Sequence, residues 1–238
     1  MKHRQHILAV DKAAFGIEPL TGWIDMNSKD MFEAIGKSLF IGRRHELEAD
    51  ERFGQILPYV VLWQRTPIGP KVFVYQRMKT VGEERLAGAL SVGIGGHIDL
   101  ADVSLTDGSV IDVVATLAAA LSREMNEEIG FRLSTDAEKT GTFDDLRKTI
   151  HHVRGEVSPF PKFKGLINDR SNEVGRVHYG FVFAMEIPAG FEPYTLEEEL
   201  STVGLVDVHL AASRGEGSME NWSNIVLANV NLEADLVQ

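Results

Sequence analysis

The segment from Ser109 to Phe131 constrains the fold of this chain more than any other, because it has the periodicity of one long amphipathic helix. Ser109 and Asp112 have the spacing of a capping box, and Gly130 stands where a helix commonly ends. The apolar residues that recur at helical spacing are Ile111, Val114, Ala118, Leu121, Met125 and Ile129. The sequence therefore predicts a helix of about twenty residues whose apolar stripe packs on a sheet.

Three glutamates lie together on a neighbouring face of this helix. Glu124, Glu127 and Glu128 are three and four residues apart, so their like charges repel by a few tenths of a kcal/mol per pair. A hard dication would offset this repulsion, because Mg²⁺ prefers carboxylates, waters and phosphate oxygens as ligands. The alternative is an acidic helix face that is simply solvated, and the three glutamates taken alone favour that alternative.

The runs around this helix predict a sheet with helices packed on it. Tyr59 to Trp63 and Lys71 to Gln76 are rich in β-forming residues and flank a segment with Pro67, Gly69 and Pro70, which predicts a hairpin. Further strands are predicted at His6 to Val10, Leu90 to Ile94, Gly180 to Ile187 and Val203 to Val208, and further helices from Ser28, at Phe143 to Val153 and at Glu220 to Val230. The expected fold class is α/β, of the α+β type with a mixed sheet.

Composition limits the kind of partner. The 238 residues are 44% hydrophobic and 25% charged, which is typical of a globular protein. A net charge of −11 disfavours broad binding to nucleic acid, and the lack of cysteine excludes disulfides, thiolate metal sites and cysteine nucleophiles. No apolar run reaches about 18 residues and the first residues do not resemble a signal peptide, so no membrane partner and a cytoplasmic location are expected.

The glutamates belong to a longer pattern, Arg123-Glu124-Met125-Asn126-Glu127-Glu128-Ile129-Gly130-Phe131, which follows a glycine pair at Gly95 and Gly96. This stretch resembles the Nudix box, G-x5-E-x7-R-E-U-x-E-E-x-G-U with U a bulky apolar residue, and its right half matches at every specified position. In the left half Ala115 and Ser109 stand where the box has glutamate and glycine. An insertion of about thirteen residues within 99–110 accounts for the longer spacing to the glycine pair.

The resemblance implies a Nudix fold, in which a mixed β-sheet is sandwiched between helices. The resemblance covers about residues 60–230, within a predicted domain at 56–238. Residues 1–55 are expected to be an N-terminal extension or part of the same domain, with a dimerisation element or a substrate lid as alternatives, so a homodimer stays open. Met219-Glu220-Asn221-Trp222-Ser223 is similar to the final helix of the predicted phosphoesterase branch of the family.

For function, the resemblance implies a Mg²⁺-dependent hydrolase, with Mn²⁺ as a substitute, that acts on a small nucleotide-derived molecule. It would cleave the pyrophosphate bond of a nucleoside diphosphate linked to a group X, giving a nucleoside monophosphate and phospho-X. The implied metal ligands are the Gly95 carbonyl, Glu124, Glu127, Glu128 and Glu199, with Glu198 close behind Glu199. Arg123 joins the three box glutamates as a catalytic residue, and Glu124 is a ligand or a general base. Since the box glutamate at 115 is missing, Asp99, Asp102 or Asp107 is the expected partner of Arg123.

Substrate phosphates need cationic contacts, and the candidates near the glycine pair are Arg77, Lys79, Arg85 and His97. Lys162 and Lys164 are second choices. Each lysine or arginine has the alternative of a solvated surface charge, and His97 either contacts phosphate or packs. The inserted segment Asp99 to Gly108 is predicted to be a loop that contributes to substrate choice.

Two other functions are compatible with this fold. An isomerase of the isopentenyl diphosphate isomerase type resembles the pattern, but those enzymes use a cysteine acid and this chain has none. A Nudix-like sensor that binds a nucleotide derivative without hydrolysing it stays open, because the box glutamate at 115 is absent. The identity of X is also open: ADP-ribose, dinucleoside polyphosphates, NADH, capped RNA and damaged nucleoside triphosphates all fit.

Overall fold

The computed structural model describes residues 5–16, 21–78, 88–134, 136–154, 161–213 and 219–233. In chain order its strands are β1 His6–Asp11, β2 Gly22–Ile24, β3 Leu39–Arg43, β4 Phe53–Thr66, β5 Gly69–Arg77, β6 Leu90–Ser91, β7 Gly93–Ile94, β8 Ile129–Leu133, β9 Asp136–Gly141, β10 Lys162–Asn168, β11 His178–Glu186, β12 Phe191–Thr195 and β13 Leu200–Asp207. Its helices are α1 Lys12–Phe15, α2 Ser28–Ser38, α3 Arg44–Leu47, α4 Val113–Glu128, α5 Phe143–Arg154, α6 Glu173–Arg176, α7 Val208–Ala212 and α8 Asn221–Asn229. A short 3-10 turn spans Leu100–Asp102.

The chain forms two compact units that interleave along the sequence. Unit 1 comprises residues 1–59, 95–121 and 163–183, and unit 2 comprises residues 60–94, 122–162 and 184–238. Strand β4 and helix α4 contribute residues to both units. The predicted division into an extension at 1–55 and a domain at 56–238 stays a prediction.

Unit 1 is built around strand β1, which is buried because its inner residues are all apolar. β1 pairs antiparallel with β3, with Ile7 opposite Gly42, and with β4, with Val10 opposite Gly54. A second antiparallel pair joins β2 to β10. Helix α2 begins at the cap of Asn27, whose side chain accepts a hydrogen bond from the Asp30 amide at 2.9 Å. The predicted strand near His6 and the helix from Ser28 are therefore confirmed.

Unit 2 contains the predicted hairpin. β4 and β5 pair antiparallel with Trp63 opposite Val72, and β13 pairs with the other edge of β5. The apolar run from Leu90 to Ile94 forms two short strands instead of one, because β6 pairs with β5 whereas β7 pairs with β4. A separate sheet has the order β12-β8-β9. These strands and the helices confirm the α+β class with a mixed sheet.

Helix α4 differs from the prediction at both ends. Ser109 has a positive φ of 60° and caps nothing, whereas Asp112 caps the helix directly by accepting from the Ala115 amide at 2.9 Å. Gly130 lies in strand β8 opposite Tyr194 and does not end the helix; a Cβ at this position would overlap the Tyr194 ring. The capping-box spacing was therefore coincidental, and packing explains the glycine.

The buried face of α4 is also rotated relative to the predicted stripe. Leu121, Met125 and Ile129 are buried as expected, but Val114 is 58% exposed. Thr116, Leu117 and Ala120 are buried instead. In the first turn of the helix, therefore, Val114 faces solvent whereas Thr116 faces the core.

The inserted segment is a loop with one ordered turn. Asp99 and Asp102 form a capping box around the 3-10 turn, and the buried Asp102 accepts from the Asp99 amide at 2.9 Å. Asp99 also accepts from Gln5 at 2.6 Å. The second half turns back at Leu105 and Ile111, which form an isolated antiparallel bridge. The loop prediction describes this second half well.

The polar stretch after residue 132 contains more structure than its sequence indicated. The helix predicted at Phe143 to Val153 is α5, but strands β9 and β10 lie in stretches without a clear pattern. Across the described ranges no helix is long and apolar enough to cross a membrane.

Candidate active site

The last turn of α4 carries the four box residues, Arg123, Glu124, Glu127 and Glu128, in unit 2. Strand β8 follows the helix without a loop, and the Glu128 carbonyl accepts from the Leu196 amide at 2.8 Å. Met125 and Ile129, which alternate with the glutamates, are fully buried. The core contacts of these two apolar residues therefore fix the direction in which the carboxylates project.

Arg123 is bound to glutamates of its own helix. Its Nη1 donates to Glu124 Oε1 at 2.7 Å and to Glu127 Oε2 at 3.0 Å. The Glu124 side chain is only 10% exposed, whereas that of Glu127 is 55% exposed. The helix therefore supplies two partners for this guanidinium, one of them at the i,i+4 spacing. The predicted pairing of Arg123 with Asp99, Asp102 or Asp107 stays a prediction.

Glu128 lies in the most unfavourable environment for a negative charge. Burial, together with the charges of Glu124, Glu197 and Glu127, raises the pKa of its carboxyl to about 8, while Arg77 opposes the shift. Four carboxyl groups are thus close enough to repel one another. A positive charge supplied at this end of the helix would be stabilised by all of them.

Glu197 is a site residue that sequence analysis missed. Partial burial and the charges of Glu199 and Glu127 raise its pKa, and Arg77 lowers it. The choice of Glu199 as a ligand, with Glu198 second, rested on a loose resemblance over three consecutive glutamates. Of the three, it is the charge of Glu197 that contributes to the raised pKa of Glu128. Glu199 as a ligand stays a prediction.

The carboxylates do not converge tightly. Within the described ranges no group of three or more histidine, aspartate or glutamate side chains is close enough to hold an ion. Glu124 and Glu127 are instead turned toward the Arg123 guanidinium. Nevertheless, the donor chemistry fits a hard dication, since the acidic side chains of this cluster offer only carboxylate oxygens.

Arg77 is a predicted substrate contact whose charge lowers the pKa of Glu128 and of Glu197, and a buried network holds its side chain. Its Nε lies 3.6 Å from Glu220 Oε2, and its Nη2 donates to the Tyr75 hydroxyl at 3.4 Å. Glu220 Oε1 in turn accepts from Ser91 Oγ at 2.6 Å and from Ser223 Oγ at 3.0 Å. Glu220, Ser91 and Ser223 are all buried. Glu220, at the start of α8, therefore holds the Arg77 side chain through an ion pair inside the protein.

Two further predicted residues lie in unit 1. Gly95 has φ of +149°, and a Cβ there would overlap the Pro58 carbonyl oxygen, so only glycine fits. His97 Nε2 lies 2.9 Å from Gln55 Oε1 and 3.3 Å from His178 Nε2. Neither Gln55 nor His178 had a sequence signal. The roles proposed for Gly95 and His97 stay predictions.

The remaining cationic candidates are divided. Lys79 and Arg85 fall outside the described residues. Lys162 is exposed at the start of β10, whereas Lys164 is 6% exposed in the same strand. A lysine this well buried is a weaker candidate for binding a substrate than an exposed one.

Comparison with known proteins gives a consistent result. No family model matches the chain. Protein YmaB of Bacillus subtilis (strain 168) is 29% identical over 186 residues, which cover 78% of this chain and 75% of that protein. The structure of Tm1382, a protein classed with the Nudix hydrolases, matches 94% of this chain and 97% of its own with a TM-score of 0.65 and 25% identity.

A Nudix hydrolase from Alicyclobacillus acidocaldarius is more distant, with a TM-score of 0.43 and 17% identity over 74% of this chain and 90% of its own. It is too distant to argue from. The match to Tm1382, by contrast, extends over nearly the whole of both chains. The box pattern of residues 123–131 and the structural match with Tm1382 therefore both resemble the Nudix hydrolases.

Proposed function

We propose that this hydrolase cleaves the pyrophosphate bond of a nucleoside diphosphate linked to a group X, giving a nucleoside monophosphate and phospho-X. The observation that carries the proposal is the acidic end of α4, where Arg123, Glu124, Glu127 and Glu128 follow the box pattern. Burial, together with the charges of Glu124, Glu197 and Glu127, raises the pKa of Glu128. Such a cluster is suited to holding a cation against the phosphates of a substrate.

Glu124, Glu127 and Glu128 would hold Mg²⁺ or Mn²⁺, with Gly95 and either Glu197 or Glu199 as further candidates. When bound, the metal supplies Lewis-acid polarisation of phosphoryl oxygens and activates water. Arg123 neutralises part of the carboxylate charge and keeps Glu124 and Glu127 in place. Arg77, fixed by Glu220, offers a cation for a phosphate oxygen. Water adds to one phosphorus atom, the anhydride P–O bond breaks, and the two phosphate products leave.

The predicted phosphoesterase branch is part of this proposal. The Met219-Glu220-Asn221-Trp222-Ser223 segment that suggested it has a structural use, because Glu220 stands at the start of α8 and binds the two buried serines. A cytoplasmic location and a homodimer belong to the same set of expectations.

The test is a panel of nucleotide compounds that includes ADP-ribose, dinucleoside polyphosphates, NADH and capped RNA, assayed with Mg²⁺, with Mn²⁺ and with excess EDTA. We expect release of a nucleoside monophosphate from at least one compound with either metal and no release in EDTA. Full activity in EDTA would refute the metal site. Tight binding of a compound without turnover would replace the proposal by the sensor alternative, which the missing glutamate at position 115 keeps open.

A further inference from the structure

A second group of metal-binding side chains lies in unit 1, in residues far apart in the sequence. His97 follows the glycine pair, His178 begins strand β11 and Gln55 lies in β4. Gln55 is 0% exposed and His178 is 7% exposed, whereas His97 is half-buried. A ligand could therefore approach this group from the His97 side.

The two imidazole rings meet through their Nε2 atoms, which are 3.3 Å apart. Two nitrogens that bind one tetrahedral ion at about 2.0–2.1 Å are separated by about 3.3 Å. The spacing thus suits two ligands of a single ion as well as a hydrogen bond.

The orientation of His178 agrees with this function. Its Nδ1 lies 2.6 Å from the Val174 carbonyl oxygen, which can only accept, so Nδ1 carries the proton. In the neutral ring Nε2 then has a lone pair directed at His97. A metal-binding histidine almost always donates its other ring N–H to a carbonyl or carboxylate in this way.

Gln55 supplies the third donor atom. Its Oε1 lies 2.9 Å from His97 Nε2, and its Nε2 has no hydrogen-bond partner among the described residues. If the cluster were held by hydrogen bonds alone, one N–H on His97 would have to serve both Gln55 Oε1 and His178 Nε2.

We propose that His97, His178 and Gln55 form a transition-metal site, in which a borderline divalent ion such as Zn²⁺ is held by the two Nε2 atoms and the amide oxygen. Imidazole ligands suit Zn²⁺, Ni²⁺ and Cu²⁺, whereas Mg²⁺ prefers carboxylates and water. Lys12 and Arg44 add positive charge near His178, and Glu48 adds negative charge. A hard ion held mainly by charge is therefore disfavoured here. The site is independent of the proposed pyrophosphate hydrolysis, which rests on the carboxylates of unit 2.

The experiment uses full-length protein freed of metal by chelator and dialysis, with Co²⁺ as a spectroscopic probe and Zn²⁺ measured by equilibrium dialysis. With excess Mg²⁺ present to saturate the acidic cluster of unit 2, we expect one Co²⁺ or Zn²⁺ ion per chain and visible absorption bands typical of Co²⁺ with nitrogen ligands. His97→Ala should weaken binding at least about tenfold, since even loss of a group that only orients a ligand costs 10- to 100-fold. His209→Ala, which removes an exposed imidazole from α7, and Glu127→Gln, which alters the acidic cluster, should bind as the wild type does.

His178→Ala is the second variant, and thermal melts without metal show whether it folds. If it does not, histidine nitrogen NMR of the wild-type protein replaces it, because metal binding should shift the Nε2 signals of both rings together. The proposal is overturned if the wild type binds neither ion at millimolar concentration, if His97→Ala binds as well as the control variants, or if the two Nε2 signals do not respond to added Zn²⁺. Each of these results would identify the cluster as a hydrogen-bonded pair.

Discussion

The acidic end of α4 in unit 2 and the histidine cluster in unit 1 are two groups of possible metal ligands that differ in charge and in how far apart their residues lie in the sequence. In unit 2, Glu124, Glu127 and Glu128 lie within two turns of one helix, and their charges are partly offset by Arg123. In unit 1, Gln55, His97 and His178 come from three distant segments, and none of the three side chains is acidic. The first group is defined by the density of its negative charge, and the second by the short distances between its nitrogen and oxygen atoms.

The two groups are suited to different kinds of metal ion. Burial first, and the neighbouring carboxylates second, disfavour the charged form of Glu128 and raise its pKa, so a hard cation is attracted mainly by charge. The neutral imidazoles gain nothing from a distant charge and bind only an ion that accepts nitrogen ligands at short range. Charge-removing substitutions should therefore affect the two groups very differently.

The largest effect is expected from removing one charge in unit 2. Glu127→Gln and Glu128→Gln preserve side-chain shape but remove a negative charge from a site proposed to hold a dication. Hydrolysis should fall by about two orders of magnitude or more, because several kcal/mol of charge stabilisation is lost. Steady-state turnover in Mg²⁺ on the substrate found by the panel measures this.

Asn126→Ala is the matched control on the same helical turn. Its side chain donates to the Ser122 carbonyl at 2.7 Å and accepts from the Asp144 amide at 3.3 Å, so it serves α4 and α5 and not the carboxylates. Turnover should change little. Near-normal rates in both glutamine variants would mean that the glutamates are a solvated face, and the contrast between the two clusters would collapse.

The same contrast explains what the sequence could predict. The box residues of unit 2 are contiguous, so a pattern of nine consecutive residues was enough to place its three glutamates together on one helix. The hairpin of β4 and β5 was also predictable, because turn residues separate two β-rich runs. Local order along the chain carried both predictions.

Features that depend on three-dimensional packing were not predictable. Ser109 and Asp112 have a capping-box spacing, but the backbone at Ser109 adopts a positive φ and Asp112 alone caps α4. Glu197 could not be distinguished from Glu198 and Glu199 without the turn that precedes β13. Similarly, no motif joins Gln55 to His178, because only the pairing of distant strands brings them to His97.

A smaller effect is expected from the residue that holds Arg77 beside the acids. Glu220→Gln removes the charge that pairs with Arg77 and weakens the acceptor of Ser91 and Ser223. Hydrogen bonds to a buried charged group contribute about 1.5–3 kcal/mol, so the free energy of unfolding should fall by about that amount. Chemical denaturation measures the change.

Glu233→Gln provides the control for this measurement. Glu233 pairs with Arg65 at 2.7 Å, but the two side chains are 45% and 52% exposed, and an exposed pair contributes at most about 1 kcal/mol. If Glu220→Gln lowers the free energy of unfolding no more than Glu233→Gln does, the buried network does not hold Arg77. The acids of unit 2 would then lack a fixed cation at Arg77.

The smallest effect concerns the charge repulsion between the glutamates, measured by thermal melts in EDTA. Glu127→Gln removes repulsion from its neighbours but also loses the Arg123 contact at 3.0 Å. Each effect is a few tenths of a kcal/mol, so the melting temperature should barely change.

For Glu128→Gln, the change in melting temperature should depend on pH. Because folding raises the pKa of Glu128 from 4.5 to about 8, its contribution to stability is fully present below pH 4.5 and is lost as pH rises through 8. Glutamine resembles the protonated form, so the variant should gain stability relative to wild type between pH 5 and 8, to a limit above pH 8. An equal melting difference at pH 5 and pH 9 would show that the carboxylates are well solvated and that charge crowding does not distinguish unit 2 from unit 1.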